Sequence, residues 1–114
     1  MRAIFAKRQV IVLCGHTHLT EFYDWYGEGG RITQMTMTSV WAKESQGQYK
    51  PSSDLSTYTV AGKEAHFDEV RDGLKQYIHA NSCGCYKLNV SDDGVTVDFY
   101  AGDSEHVTAQ FVLR

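Results

Sequence analysis

The dipeptide Asp93-Gly94, set between two apolar-rich runs at 85–90 and 95–100, most narrows what this chain can build. Asp-Gly is among the strongest short-range hairpin signals, because glycine accepts the positive φ that a tight turn needs. A second mark of this kind lies at Gly27-Glu28-Gly29-Gly30. It separates the aromatic run 19–26, with Phe22, Tyr23, Trp25 and Tyr26, from the alternating run 31–41, with Ile32, Met35, Met37 and Val40. Two β-hairpins follow from these signals. A last strand is expected at 106–113, where Val107, Ala109, Phe111 and Leu113 share one face.

Between the hairpins the period changes. Phe67, Val70, Leu74, Tyr77 and Ile78 recur at spacings of three and four, which predicts an amphipathic helix over 63–80. Glu64, Asp68 and Glu69 suit its first turns and His79 its last. Gly73 would cost about 1 kcal/mol against alanine inside such a helix, unless a neighbour packs close. The polar stretch 46–57, with Pro51, reads as a loop. The fold class expected is α+β, a mostly antiparallel β-sheet with one main amphipathic helix. The 114 residues suit one core, and seven Tyr, five Phe and two Trp supply packing material.

Charge narrows the function classes. The formal charge is -3 with both signs interspersed, and no Lys/Arg cluster points to nucleic acid. No apolar run approaches membrane-spanning length, and residues 1–7 lack the apolar core of a signal peptide. The compartment stays unassigned. Three cysteines make no disulfide framework, and Cys83-Gly84-Cys85 is too closely spaced to close a relaxed ring. Cys14 reads as a small core residue, with Cys83 and Cys85 on a strand edge.

Chemistry is concentrated at one place. The apolar run Val10-Ile11-Val12-Leu13-Cys14 reads as a buried strand over 9–14 and leads directly into Gly15-His16-Thr17-His18. Glycine ends the strand, and two imidazoles follow at i and i+2. Neutral imidazole is the commonest protein ligand for zinc-, manganese- and iron-type ions.

Apolar strand plus Gly-His-x-His resembles the last motif of the calcineurin-like metallophosphoesterases. The resemblance implies that His16 and His18 are metal ligands, one for each ion of a two-metal centre. It implies two divalent ions of Mn, Fe or Zn type, a phosphate-ester substrate, and a β-sandwich whose C-terminal part this chain supplies. Residues 1–7 would then be the end of the helix before the strand. The family's earlier motifs are Asp-x-His, Gly-Asp-x-x-Asp/Asn and Gly-Asn-His-Asp/Glu, and this chain has no Asp-x-His and no Asn-His. Gly102-Asp103-Ser104-Glu105-His106 starts like the second, but it ends in His and lies on the wrong side of His18.

A two-metal hydrolase needs a bridging carboxylate and several further ligands. Two histidines from one loop hold a divalent ion weakly. The expectation is therefore a single partial domain over 1–114, active in its parent, inactive alone and without tightly bound metal. Strand edges left open in such a piece should re-pair, so a homo-oligomer is expected.

Other residues carry less. Glu21 and Asp24 lie near the histidines and could form an acid/base pair, although surface carboxylates are commoner. Tyr23, Trp25, Tyr26 and Trp41 could line a substrate pocket, although hairpin packing is the commoner role. His66 and His79 read as a helix-surface pair, and His106 has no ligand spacing. Thr36, Thr38 and Ser39 read as half-exposed strand residues. Two alternatives come from other classes. One is a non-enzymatic β-rich oligomerising module. The other is a small structural-zinc domain built on Cys14, His16, His18, Cys83 and Cys85, although neither pair has the usual zinc spacing.

Overall fold

A computed structural model describes residues 1–15, 18–40, 48–54 and 71–114. Among these residues there is one α-helix, α1 (Arg2–Arg8). Seven strands follow: β1 (Ile11–Cys14), β2 (Thr20–Gly27), β3 (Gly30–Thr36), β4 (Leu74–Ala80), β5 (Gly84–Ser91), β6 (Gly94–Ala101) and β7 (Ala109–Val112). They form a four-stranded sheet ordered β1-β3-β2-β4 and a three-stranded sheet ordered β5-β6-β7. The fold is α+β and mostly antiparallel, as composition and turn signals predict.

Both hairpins form where the turns place them. β2 and β3 pair from Glu21↔Thr36 to Gly27↔Gly30. The two residues between them, Glu28 (φ 53°) and Gly29 (φ 80°), take the positive φ values of a tight hairpin turn. β5 and β6 pair down to Ser91↔Gly94, which leaves Asp92 and Asp93 at the tip. The final strand is shorter than expected and covers Ala109–Val112.

One element differs in kind. Leu74–Ala80 is a strand, β4, paired antiparallel with β2 from Thr20↔Ala80 to Trp25↔Leu74. The helix expected over 63–80 therefore does not extend through 74–80, and 63–70 lie outside the described residues. The physical reason is that both faces of β4 are covered. Tyr77 packs on Tyr23 on one face, and Ile78 joins the core on the other. A strand covered on both sides loses its apolar/polar alternation, and Leu74, Tyr77 and Ile78 then imitate a helical stripe. Gly73 is explained by close approach, since a Cβ there would meet the Tyr26 carbonyl and the Trp25 indole. The described helix is instead α1, whose Ala6 backbone lies directly over Gly30 of β3.

The two sheets close face to face. Phe22 and Met35, directly paired across β2 and β3, pack against Val97, Phe99, Ala101, Phe111 and Leu113. The rings of Phe22 and Phe111 lie 5.4 Å apart. Polar groups on the same inner face tie down the chain end: Thr33 Oγ1 donates to the Leu113 carbonyl at 2.9 Å, and Arg31 Nη2 to that of Val112 at 3.3 Å. Arg31 also grips Asp24 through two hydrogen bonds of 2.7 and 3.2 Å.

The three-stranded sheet has its own tie. Asp98 on β6 accepts from Gln110 Nε2 on β7 and from Asn89 Nδ2 on β5, each at 2.7 Å. These two bonds, Gln110's first, hold the Asp98 carboxyl below the ordinary aspartate range. A depressed carboxylate stabilises the fold above the unfolded-state pKa, about 3.9, and that contribution is lost as pH falls through the folded-state value. Unfolding free energy should therefore drop on acidification below about pH 4. In Asp98→Asn, urea titrations across pH 2–6 should show a shallower acid limb.

Candidate functional site at the carboxyl end of the first strand

β1 runs parallel to β3, from Ile11↔Thr33 to Cys14↔Thr36, yet the next strand in sequence, β2, lies on the far side of β3. The connection from Cys14 to Thr20 must therefore pass the carboxyl end of β3, across two strand spacings of about 4.8 Å each. That connection carries Gly-His-x-His. In sheets with parallel strands, ligands gather outside the carboxyl ends, and this connection lies in such a position.

His16 lies outside the described residues. His18 is exposed and takes φ 59°, a left-handed backbone. The other non-glycine residues of positive φ among those described have local reasons. Gln9 caps the end of α1, and Glu28 sits in the hairpin turn. His18 neither caps a helix nor turns a hairpin. Such a conformation costs free energy that the surrounding structure must offset.

The offset comes from a chain of hydrogen bonds two residues further on. Tyr86 Oη accepts from the Thr38 amide at 3.0 Å and meets Thr20 Oγ1 at 2.6 Å. Thr20 Oγ1 in turn donates to the Ser82 carbonyl at 3.0 Å. With the Thr20 proton committed to Ser82, Tyr86 is the one that donates to Thr20. The series joins the start of β2, the segment after β3 and the three-stranded sheet. Burial pushes the Tyr86 phenol up, against its hydrogen bonds with Thr20 and Thr38.

At the strand ends that the connection joins, a row of side chains crosses the outer face of the four-stranded sheet. Registered pairs place Cys14, Thr36, Glu21 and His79 side by side on β1, β3, β2 and β4. Cys14 Sγ lies 3.3 Å from Thr36 Oγ1, and Tyr23 Oη donates to Glu21 Oε1 at 3.0 Å. Glu21 is only 1% exposed and Thr36 2%. His79 follows Tyr77 along β4, their rings 5.2 Å apart. A buried carboxyl held by a phenol, with imidazole and thiol in the same row, concentrates polar groups at the sheet end that carries the connection.

The remaining sequence candidates sort by strand parity. Glu21 and Asp24 are on opposite faces of β2, with Asp24 committed to Arg31, so they form no acid/base pair. Thr36 is buried, not half-exposed, because it sits in that row. His79 is a strand residue and not part of a helix surface; His66 and Trp41 lie outside the described residues. Tyr23 and Trp25 face outward and line a cavity of about 250 Å³ with Arg2, Ile32, Gln34 and Leu74. Tyr26 is exposed at the hairpin end under Arg31, 5.5 Å from its ring. His106 is exposed in the turn after β6.

Cys83 is buried and Cys85 exposed, and all three cysteines are free thiols. Among the described residues no three His, Cys, Asp or Glu side chains group as a metal ion would need. Imidazole donors suit the implied ions, but a two-metal set on this loop needs carboxylates from elsewhere in a longer chain. Thr20 and Tyr86 were not legible as partners, being 66 positions apart; no local signal marks them.

No helix among the described residues is long and apolar enough to cross a membrane. Comparison with protein-family models, curated proteins and solved structures finds no match to this chain. Removing the Tyr86 hydroxyl takes the acceptor from Thr38 N–H and the donor from Thr20 Oγ1, which keeps only Ser82. Tyr86→Phe should lower the unfolding free energy by about 1–3 kcal/mol in urea titration.

Proposed function

We propose that this chain is the C-terminal part of a metal-dependent phosphoesterase, with His16 and His18 as two of the ligands of its metal centre. The observation that carries the reading is the left-handed His18, on a connection outside the carboxyl end of a parallel strand pair. Such a centre supplies Lewis-acid polarisation of the phosphate and an activated water. The part of this chain is geometric. His16 and His18 would each offer an imidazole nitrogen, Thr20 and Tyr86 hold the exit of the loop, and the Glu21 row lies at the same end of the sheet. Neither histidine attacks phosphorus.

In the parent protein, His16→Ala and His18→Ala should each cut manganese-supported turnover of p-nitrophenyl phosphate by at least about a hundredfold. Circular dichroism and melting should stay near wild type. The 114-residue chain alone should show no turnover and no tight manganese binding by calorimetry. Full turnover in either variant, or an upstream reading frame without Asp-x-His, Gly-Asp-x-x-Asp/Asn and Gly-Asn-His-Asp/Glu, overturns the reading.

A second reading, a self-associating β-rich module, is favoured by the open edge of β1. Among the described residues β1 pairs only with β3, and Leu13, Met1, Ile4 and Phe5 are exposed. An unpaired edge with apolar side chains invites another chain. The isolated protein should sediment as a homo-oligomer at micromolar concentration, and Leu13→Lys should shift it toward monomer. A wild-type monomer at every concentration removes this reading.

A further inference from the structure

The cavity on the outer face of the four-stranded sheet is built for a flat ring. Tyr23 pairs with Gln34, and Trp25 with Ile32 and Leu74, so five of its six lining residues stand on three adjacent strands. The sixth, Arg2 on α1, places its guanidinium 5.4 Å from the Trp25 ring centre while also bonding Glu28. Two glycines seat the indole: a Cβ at Gly27 or at Gly73 would collide with the Trp25 ring. The Tyr23 ring is fixed by Tyr77, 4.9 Å away, and its hydroxyl by Glu21. The result is an aromatic and aliphatic floor with one cation and one carboxamide at its rim. Aromatic faces stack bases with little regard to sequence, a guanidinium adds a cation–π contact, and a carboxamide can pair with a base edge.

Position along the strands adds the second half of the argument. Tyr23 and Gln34 are two residues from the Glu21–Thr36 row, and Trp25 and Ile32 are four. At about 3.4 Å per residue, the stacking floor begins some 7 Å from the row at the sheet end that carries the connection and ends about 14 Å away. That is the scale separating a phosphate from its base.

We propose that this cavity is the stacking subsite for the base of a nucleotide whose phosphate lies toward the His18 turn. The phosphate's placement rests on the phosphoesterase reading; the base subsite rests on the cavity alone.

Fluorescence excited at 295 nm in a Trp41→Phe background reads Trp25. Adenosine and adenosine 5′-monophosphate should both quench it saturably, and ribose 5-phosphate should not. Trp25→Leu, followed by calorimetry, should weaken adenosine 5′-monophosphate by at least about tenfold, in line with one lost stacking contact. Arg2→Ala, at an exposed side chain, should weaken it by a few-fold with melting unchanged. Equal binding of ribose 5-phosphate overturns the subsite. So does the absence of saturable quenching with adenosine and its monophosphate. Quenching by adenosine that is no weaker than by its monophosphate leaves the base subsite standing and removes the phosphate's placement toward the His18 turn; the metal-centre reading stands or falls separately, on turnover by His18→Ala in the parent protein. The two failures are thereby distinguishable.

Discussion

The register of β3 is the constraint on which the remaining structure depends. Among the described strands, β3 alone has α1 over its start, a parallel neighbour on one side and an antiparallel neighbour on the other. Met35 points into the core beside Phe22, while Thr36, one residue later, points outward between Cys14 and Glu21. A slip of one residue would exchange these faces. It would put a threonine hydroxyl among phenylalanines, put a methionine into the buried polar row beside Glu21 and Cys14, and move Gly30 from beneath Ala6, where no side chain can stand. Each error costs on its own, and all would occur together. Core packing, helix seating and the polar row are thus three readouts of one alignment.

That alignment also places the His18 loop. Because β3 intervenes between β1 and β2, the five-residue connection has to cross a strand end instead of folding back as a hairpin. A short crossing leaves little slack, and the left-handed turn at His18 and the clamp at Thr20 are what the path demands. The clamp draws on both sheets, since Tyr86 belongs to β5. Loop geometry is therefore coupled to the face-to-face closure of the sandwich around Phe99 and Phe111.

Legibility from sequence followed the range of the interaction. The hairpins and their turns were readable because Asp93-Gly94 and Gly27–Gly30 act within a few residues. The α+β class followed from them. β4 was misread because both of its faces are covered, by Tyr23 on one side and the sandwich core on the other, and the alternation that would have marked it is absent. The parallel pairing of β1 with β3 left no trace in composition. Nor did the bond between Thr20 and Tyr86. Glu21 and Asp24 drew attention by lying near the histidines, yet strand parity puts them on opposite faces. The run 19–26 was already readable as a strand, so that outcome follows from its alternation alone. Gly73 was legible as an anomaly, and the close approach of Trp25 and Tyr26 accounts for it.

The outer face of the four-stranded sheet then reads as one continuous surface with two ends. Glu21, Thr36, Cys14 and His79 form the polar end, which carries the connection; Trp25, Ile32 and Leu74 form the apolar end near α1. Tyr23 stands between them and belongs to both, with its ring in the cavity wall and its hydroxyl on the Glu21 carboxylate. A sheet suits such an arrangement, because strand rise along β2 and β3 sets the separation of its two ends. Adjacent helices or loops would leave the distance between a charged end and an aromatic end to side-chain packing. Here backbone hydrogen bonds determine it. A ligand that spans the two ends is therefore selected by length as well as by chemistry.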